Sequence, residues 1–296
     1  MLIGVASEMH LRPTTAADIP RCVTIHDAAF KDNELDNWLA PDRAKYPIAW
    51  RQRALRVQRN KFYQPTTWSF VCVADADDDF ASVGEVLGCA RWVRRASKED
   101  AATDPWTRQL SVLDRVESWL RWTELKLEEK LYTNPGLIQA RKDLFMTHAM
   151  ASTGFAPIRA STHWYLESLA VDPDYHRRGV GRSLVVWGLQ RAEAETEERV
   201  ARGKPPVPVA LIATSTGLLL YRSVGFRVVN WEDDAYMDIL PEGGSNMVWD
   251  ASQHWIRDIE HVEPVKRGVV EAKYIAGDTK EQSDPVLPKS SSVLAV

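Results

Sequence analysis

His176-Arg177-Arg178-Gly179-Val180-Gly181-Arg182 lies between an apolar run and a helical stretch, and its reading decides the fold. The run before it, Tyr165-Leu166-Glu167-Ser168-Leu169-Ala170-Val171, is short and largely apolar. It closes on Asp172-Pro173-Asp174, as a strand that ends in a turn does. The stretch after it, Ser183 to Glu193, sets Leu184, Trp187 and Gly188 on one side with Val185, Leu189 and Ala192 beside them. A glycine loop that opens a helix offers several backbone N–H groups with the positive end of the helix dipole behind them, which suits a phosphate or pyrophosphate. Arg177, Arg178 and Arg182 add cations with forked donors. The segment from His176 to Ser183 is therefore expected to hold a phosphorylated ligand.

Two common phosphate loops are excluded by spacing. A Walker loop needs a Lys-Ser/Thr pair after its last glycine, and neither Gly179 nor Gly181 has one. A dinucleotide fingerprint needs a third glycine where Leu184 stands. The segment resembles instead the acyl-CoA-binding loop of the GNAT superfamily of N-acetyltransferases, written Gln/Arg-x-x-Gly-x-Gly/Ala. That loop is entered through a strand similar to Leu166-Glu167-Ser168-Leu169-Ala170-Val171-Asp172-Pro173. Here the first loop position is His176 rather than Gln or Arg, while both glycines are kept. The glycines alone are equally compatible with an ordinary turn before a core helix.

A second segment adds to the resemblance. Val207-Pro208-Val209-Ala210-Leu211-Ile212-Ala213 reads as a buried strand with Pro208 confined to its start. Thr214-Ser215-Thr216-Gly217 is an N-cap cluster, Leu218 to Val224 the helix, and Gly225 its stop. The superfamily ends this unit in Leu-Tyr-x-x-x-Gly-Phe, which Leu220-Tyr221 to Gly225-Phe226 matches. Its usual Asn and Ala are replaced by Thr214 and Gly217. The N-terminal Leu11-Arg12-Pro13-Thr14-Thr15-Ala16-Ala17-Asp18-Ile19-Pro20 is similar to the opening strand and helix of the same superfamily, with Thr14 or Thr15 as cap.

The resemblance implies an α/β (α+β) fold of acyl-CoA N-acyltransferase type. Its central sheet is mixed and mostly antiparallel, flanked by helices, and here carries a helical insertion. It also implies an acetyl-CoA-dependent transfer to an amine by direct attack, with acetyl-CoA as co-substrate and no metal. Backbone groups of Leu169, Ala170 and Val171 would pair with the pantetheine arm, and His176, Arg177, Arg178, Gly179, Val180, Gly181, Arg182 and Ser183 would hold the pyrophosphate. Tyr221 is the expected acid toward the departing thiolate and Glu167 the expected base, with His163 in reserve. Glu167 also reads as an ordinary strand carboxylate or an acceptor-recognition group. A non-catalytic acyl-CoA sensor of the same fold is the alternative function.

Bulk properties bound the rest. Of 296 residues, 45% are apolar and 26% charged, an ordinary globular balance. A formal net charge of −4 without a long basic tract argues against nucleic acid as a partner. No apolar run reaches bilayer-spanning length, so no membrane association is expected. The absence of a secretory pattern at the start and three scattered cysteines, Cys22, Cys72 and Cys89, point to a cytoplasmic protein. A small-molecule amine is the expected partner; the acceptor's identity and the oligomeric state stay open.

The domain reading is an N-acetyltransferase domain over 1–264 and a polar tail over 265–296, disordered from about Ala276. Trp68–Ala74 and Glu85–Val93 read as a hairpin whose loop holds the solvated acids Asp75, Asp77, Asp78 and Asp79. An insertion over about 96–161 is expected to be helical, with Val112, Val116, Leu120 and Leu125 as an amphipathic stripe and a second helix from Leu137 to Met150. An acceptor-side role for it competes with simple enlargement of the fold. Arg227–Asn230 and Asn246–Trp249 are expected as closing strands.

Overall fold

The alternating segments assemble into one seven-stranded sheet in the computed structural model, which describes residues 9–131, 136–143, 158, 161–228 and 245–252. The strands are β1 (His10–Pro13), β2 (Thr67–Val73), β3 (Val86–Arg95), β4 (His163–Val171), β5 (Val209–Ala213), β6 (Arg227–Val228) and β7 (Ser245–Trp249), in the order β1-β2-β3-β4-β5-β7-β6. Every neighbouring pair is antiparallel except β4–β5, which is parallel. The predicted mixed, mostly antiparallel sheet is therefore present. The chain divides into a unit Met1–Val265 and a second, Lys266–Val296, whose residues lie outside those described, as does the expected tail.

Helices cover both faces. On one lie α1 (Ile19–Ala29) and α3 (Pro47–Phe62), with the short α2 (Glu34–Leu39) between them in sequence. Ile25 and Cys22 of α1 pack there on Val71, Val73, Val86 and Ala170. On the other face the long α5 (Val180–Ala201) brings Leu184, Val185 and Leu189 against Trp92, Trp164 and Leu166. Gly188 makes this approach possible: a Cβ there would lie 2.3 Å from the Trp92 ring. Trp92 and Trp164 are fully buried, so those two of the twelve tryptophans are core residues.

The helix expected within the insertion is α4 (Val112–Leu131), with Leu125 of its apolar stripe half-buried and the rest of the stripe exposed. Val112, Val116 and Leu120 stand exposed, while Arg56 of α3 pairs with Glu128 on the packed side. The second expected helix is described only in part, being helical at 139–143; its remainder lies outside the described residues. In the β2–β3 loop the acids are not uniformly solvated: Asp78 is buried and accepts from the Asp75 N–H at 2.7 Å. Asp75 itself meets His10 at 2.7 Å.

Candidate active site

The site grows from a break in the sheet. Trp164, Tyr165 and Leu166 of β4 pair with Val209, Ala210 and Leu211 of β5, and there the parallel ladder ends. β5 continues beside β7, with Ile212 opposite Asn246 and Ala213 opposite Ser245. β4 continues beside β3 as far as Val171. From Glu167 onward β4 therefore has no strand on its β5 side among the described residues, and its backbone groups there lack ladder partners.

A bulge marks the start of this free edge. Arg91 of β3 pairs with Ser168 and Trp92 with Leu166, so Glu167 is the extra residue. A bulge re-aims side chains by slipping the alternation by one. Leu166 and Leu169 accordingly belong to the α5-side core, whereas Glu167 and Ser168 both serve the α1–α3 face. Glu167 meets Lys61 of α3 at 2.7 Å and Arg91 at 2.5 Å. Burial pushes its carboxyl up, but Arg91 and Lys61 outweigh this and hold it below the usual carboxylate value. These two partners come from sequence far from the motif and carried no signal there.

At the end of the free edge the chain turns through a 3-10 turn, Pro173–Tyr175, into the predicted loop. Arg177 at φ 63° and Gly179 at φ 87° both adopt left-handed backbone, the alternation that builds an anion-binding nest. The first intrahelical bond of α5 runs from the Ser183 N–H to the Gly179 carbonyl at 2.9 Å, so the N–H groups of Val180, Gly181 and Arg182 precede it. Helix α5 thus starts at Val180, three residues before the sequence expectation. Arg178 lies over the Phe80 ring at 4.3 Å, and Arg182 donates to the Ser223 hydroxyl at 3.4 Å. His176 places Nε2 3.2 Å from the Val171 carbonyl, linking the loop back to β4.

The second motif packs beside the first. α6 (Leu218–Ser223) sets Leu220 where a Cβ on Gly181 would meet it at 3.1 Å. Tyr221 is buried, edge-on to Phe226 at 5.8 Å, and its hydroxyl has no hydrogen-bond partner among the described residues. Burial, with a smaller contribution from Tyr165 of β4, pushes its phenol well above the ordinary value. Gly217, which departs from the usual Ala, has a local reason: a Cβ there would come within 2.8 Å of the Tyr221 ring. His163, the reserve base, is buried at the far end of β4 beside Arg95, with Nδ1 2.9 Å from the Ser161 carbonyl. Four residues of strand, roughly 13 Å, separate it from Glu167.

Beside the bulge, on the α1–α3 face, is a small cleft open to solvent, with a cavity volume of about 30 Å³. Thr14, Cys22, Gln58, Cys89, Arg91 and Ser168 are among its lining residues. Cys22, Cys72 and Cys89 are all free thiols. Among the described residues there is no group of three or more His, Cys, Asp or Glu placed to hold a metal, and no helix long and apolar enough to cross a membrane.

Solved structures similar to this chain include a protein described as histone acetyltransferase HPA2 and related acetyltransferase from Corynebacterium glutamicum. It is 18% identical with a TM-score of 0.43, and the match covers 81% of this chain and 94% of that one. An N-acetyltransferase from Staphylococcus aureus is 14% identical with a TM-score of 0.42 over 81% of this chain and 100% of that one. A GNAT family acetyltransferase from Brucella melitensis, solved in complex with acetyl-CoA, is 14% identical with a TM-score of 0.36, covering 83% and 89%. No curated protein matches the chain. The family model described as the acetyltransferase (GNAT) family matches residues 33–202, more than half of the sequence. With that match spanning α2 through α5, the protein belongs to the GNAT family of acetyltransferases.

Proposed function

We propose that the protein is an acetyl-CoA-dependent N-acetyltransferase that passes an acyl group directly to an amine held in the same complex. The observation that carries this reading is the free edge of β4 from Glu167 to Val171, which leads into the nest and helix start at Arg177–Arg182. An extended amide-bearing arm finds backbone groups facing the open side at Leu169 and at the Val171 N–H, with Ala170 between them paired to Cys89 of β3, and a pyrophosphate finds the N–H groups and cations of His176 to Ser183. The Brucella relative bound to acetyl-CoA is consistent with that ligand.

Tyr221 is the proposed acid. Its buried phenol stays protonated across the physiological range, and because burial makes it a weaker acid its part is to donate a hydrogen bond to the departing thiolate, whose thiol has an ordinary value of about 8.5 and takes its proton in the end from solvent. Glu167 is the proposed base. An alkylamine is largely protonated near neutrality and must lose that proton before it attacks. Arg91 and Lys61 assist by disfavouring a further positive charge beside them. The carboxylate they keep ionised is a weakened base with both oxygens already accepting from Lys61 and Arg91, so it relays the proton, directly or through one water, to solvent rather than holding it.

Thermal unfolding with acetyl-CoA, and with ATP and magnesium as control, tests the reading. At about a hundredfold excess over its dissociation constant a ligand adds about 2.7 kcal/mol, so the midpoint rises by several degrees with acetyl-CoA alone. No rise from folded protein overturns the assignment. A rise without amine-dependent release of CoA thiol makes the protein an acyl-CoA sensor.

A further inference from the structure

We infer that the acceptor amine carries an anionic group, a carboxylate or phosphate, which the α3–β3 face recognises; this rests on the acetyltransferase reading. Helix α3, whose sequence is PIAWRQRALRVQRNKF, holds five basic residues, Arg51, Arg53, Arg56, Arg59 and Lys61, and no acidic one. This stands against a chain whose net charge is −4. Arg56 and Lys61 pair with Glu128 and Glu167, and Arg51 acts electrostatically on the Asp27 carboxylate of α1. Arg51 reaches the Thr24 hydroxyl at 3.1 Å, and Arg53 and Arg59 meet no carboxylate among the described residues.

The same helix forms a wall of the cavity beside Glu167. Gln58 lines it, Lys61 lies at its Glu167 side, and Arg51 is two turns earlier on the Gln58 face. Arg91 is the charged residue in the lining. It gives Nε to Glu167 and Nη1 to Gln58, while Nη2 has no partner among the described residues. Around the bulge two cations therefore face one carboxylate, and Arg91, which keeps one guanidinium nitrogen without a partner among the described residues, is one of the residues lining the cavity. Thr14 adds a hydroxyl that is buried without a hydrogen-bond partner. The guanidinium can only donate, and the hydroxyl can donate as well as accept. A diamine or polyamine would bring a second positive charge against Arg91 and Lys61, whereas an anion on the acceptor meets Arg91 and the hydroxyls.

The inference is tested on the full chain saturated with acetyl-CoA, by initial rates of CoA thiol release. One set of acceptors is 4-aminobutyrate, butylamine and 1,4-diaminobutane, which differ only at the end remote from the amine. The other is phosphoethanolamine against ethanolamine, which separates phosphate from carboxylate. At least one anionic member is expected to exceed its uncharged partner in kcat/KM by about tenfold, with the diamine slowest. Arg91→Gln is expected to shrink that ratio through KM of the anionic acceptor, where a merely structural role lowers both partners together. Arg51→Gln, at an exposed position, shrinks it less and guards against a folding defect at Arg91. Equal rates, a faster diamine, or no turnover of either anionic amine by protein that binds acetyl-CoA overturns the inference and leaves the acyl-CoA site standing. Failure to bind acetyl-CoA overturns the proposed function itself.

Discussion

Tyr221 and Asp18 are two residues whose environments set opposite protonation states. Tyr221 is sealed among Phe226, Gly217 and the α5-side core, so its neutral form is favoured. Tyr221→Phe keeps that packing and removes only the donor. Turnover should fall by about a hundredfold, the ordinary worth of a positioned hydrogen-bond donor, with the acetyl-CoA dissociation constant unchanged. Unchanged turnover would remove Tyr221 from the mechanism. Asp18 accepts from Arg12 at 2.7 and 2.8 Å and from the Thr15 N–H and hydroxyl at 2.8 Å. The Arg12 hydrogen bond foremost holds its carboxyl down at about 2, against an ordinary 3.8. A depressed folded-state value stabilises the fold above the unfolded value and loses that contribution as pH falls through the folded one. The gap is worth roughly 2 kcal/mol, present at pH 5 and mostly gone at pH 2. Denaturant midpoints across that range should show an acid loss that Asp18→Asn diminishes; an identical profile for both proteins refutes it.

At the scale of elements, glycines decide how closely α5 can approach. Gly179 at φ 87° begins the helix in a conformation that L side chains resist by about 1–2 kcal/mol. Gly188 lets Trp92 lie against the helix backbone. Gly188→Ala drives a methyl into that ring and should cost about 1–3 kcal/mol, a melting loss of several degrees, without altering the pyrophosphate loop. An unchanged melting temperature would mean that β3 shifts freely. The strands and both motif helices were legible because alternation, Gly225 and the Asp172-Pro173 turn are local signals. The bulge at Glu167 was not, since it exists only in the register of β4 against β3. For the same reason Lys61 and Arg91 were missed: each is an ordinary surface-type cation until the fold brings it to Glu167. The α4 stripe is legible as a period, but the exposure of Val112, Val116 and Leu120 is not, because periodicity says which residues share a side and not what that side meets.

Across the whole molecule, one buried charge cluster joins segments that are distant in sequence. Arg94 of β3, 1% exposed, pairs with Glu195 of α5 and at 3.3 Å with Asp104 of the insertion. Trp164 of β4 donates its indole N–H to Glu195 at 3.2 Å. Burial pushes the Glu195 carboxyl up, and Arg94 offsets only part of this. Removing the cation is therefore worse than removing one acid. Arg94→Met leaves two carboxylates buried near one another and should cost about 3–5 kcal/mol, whereas Glu195→Gln keeps the Arg94–Asp104 pair and an acceptor for Trp164 and should cost less. The two variants also differ in sign with pH. Without Arg94 the carboxylates bind protons more tightly folded than unfolded, so the Arg94→Met protein should regain stability as pH falls from 7 toward 5. Chemical denaturation of both variants at these two pH values decides the matter. Equal costs, or an Arg94→Met protein that weakens on mild acidification, would show that the cluster does not couple the insertion to the sheet.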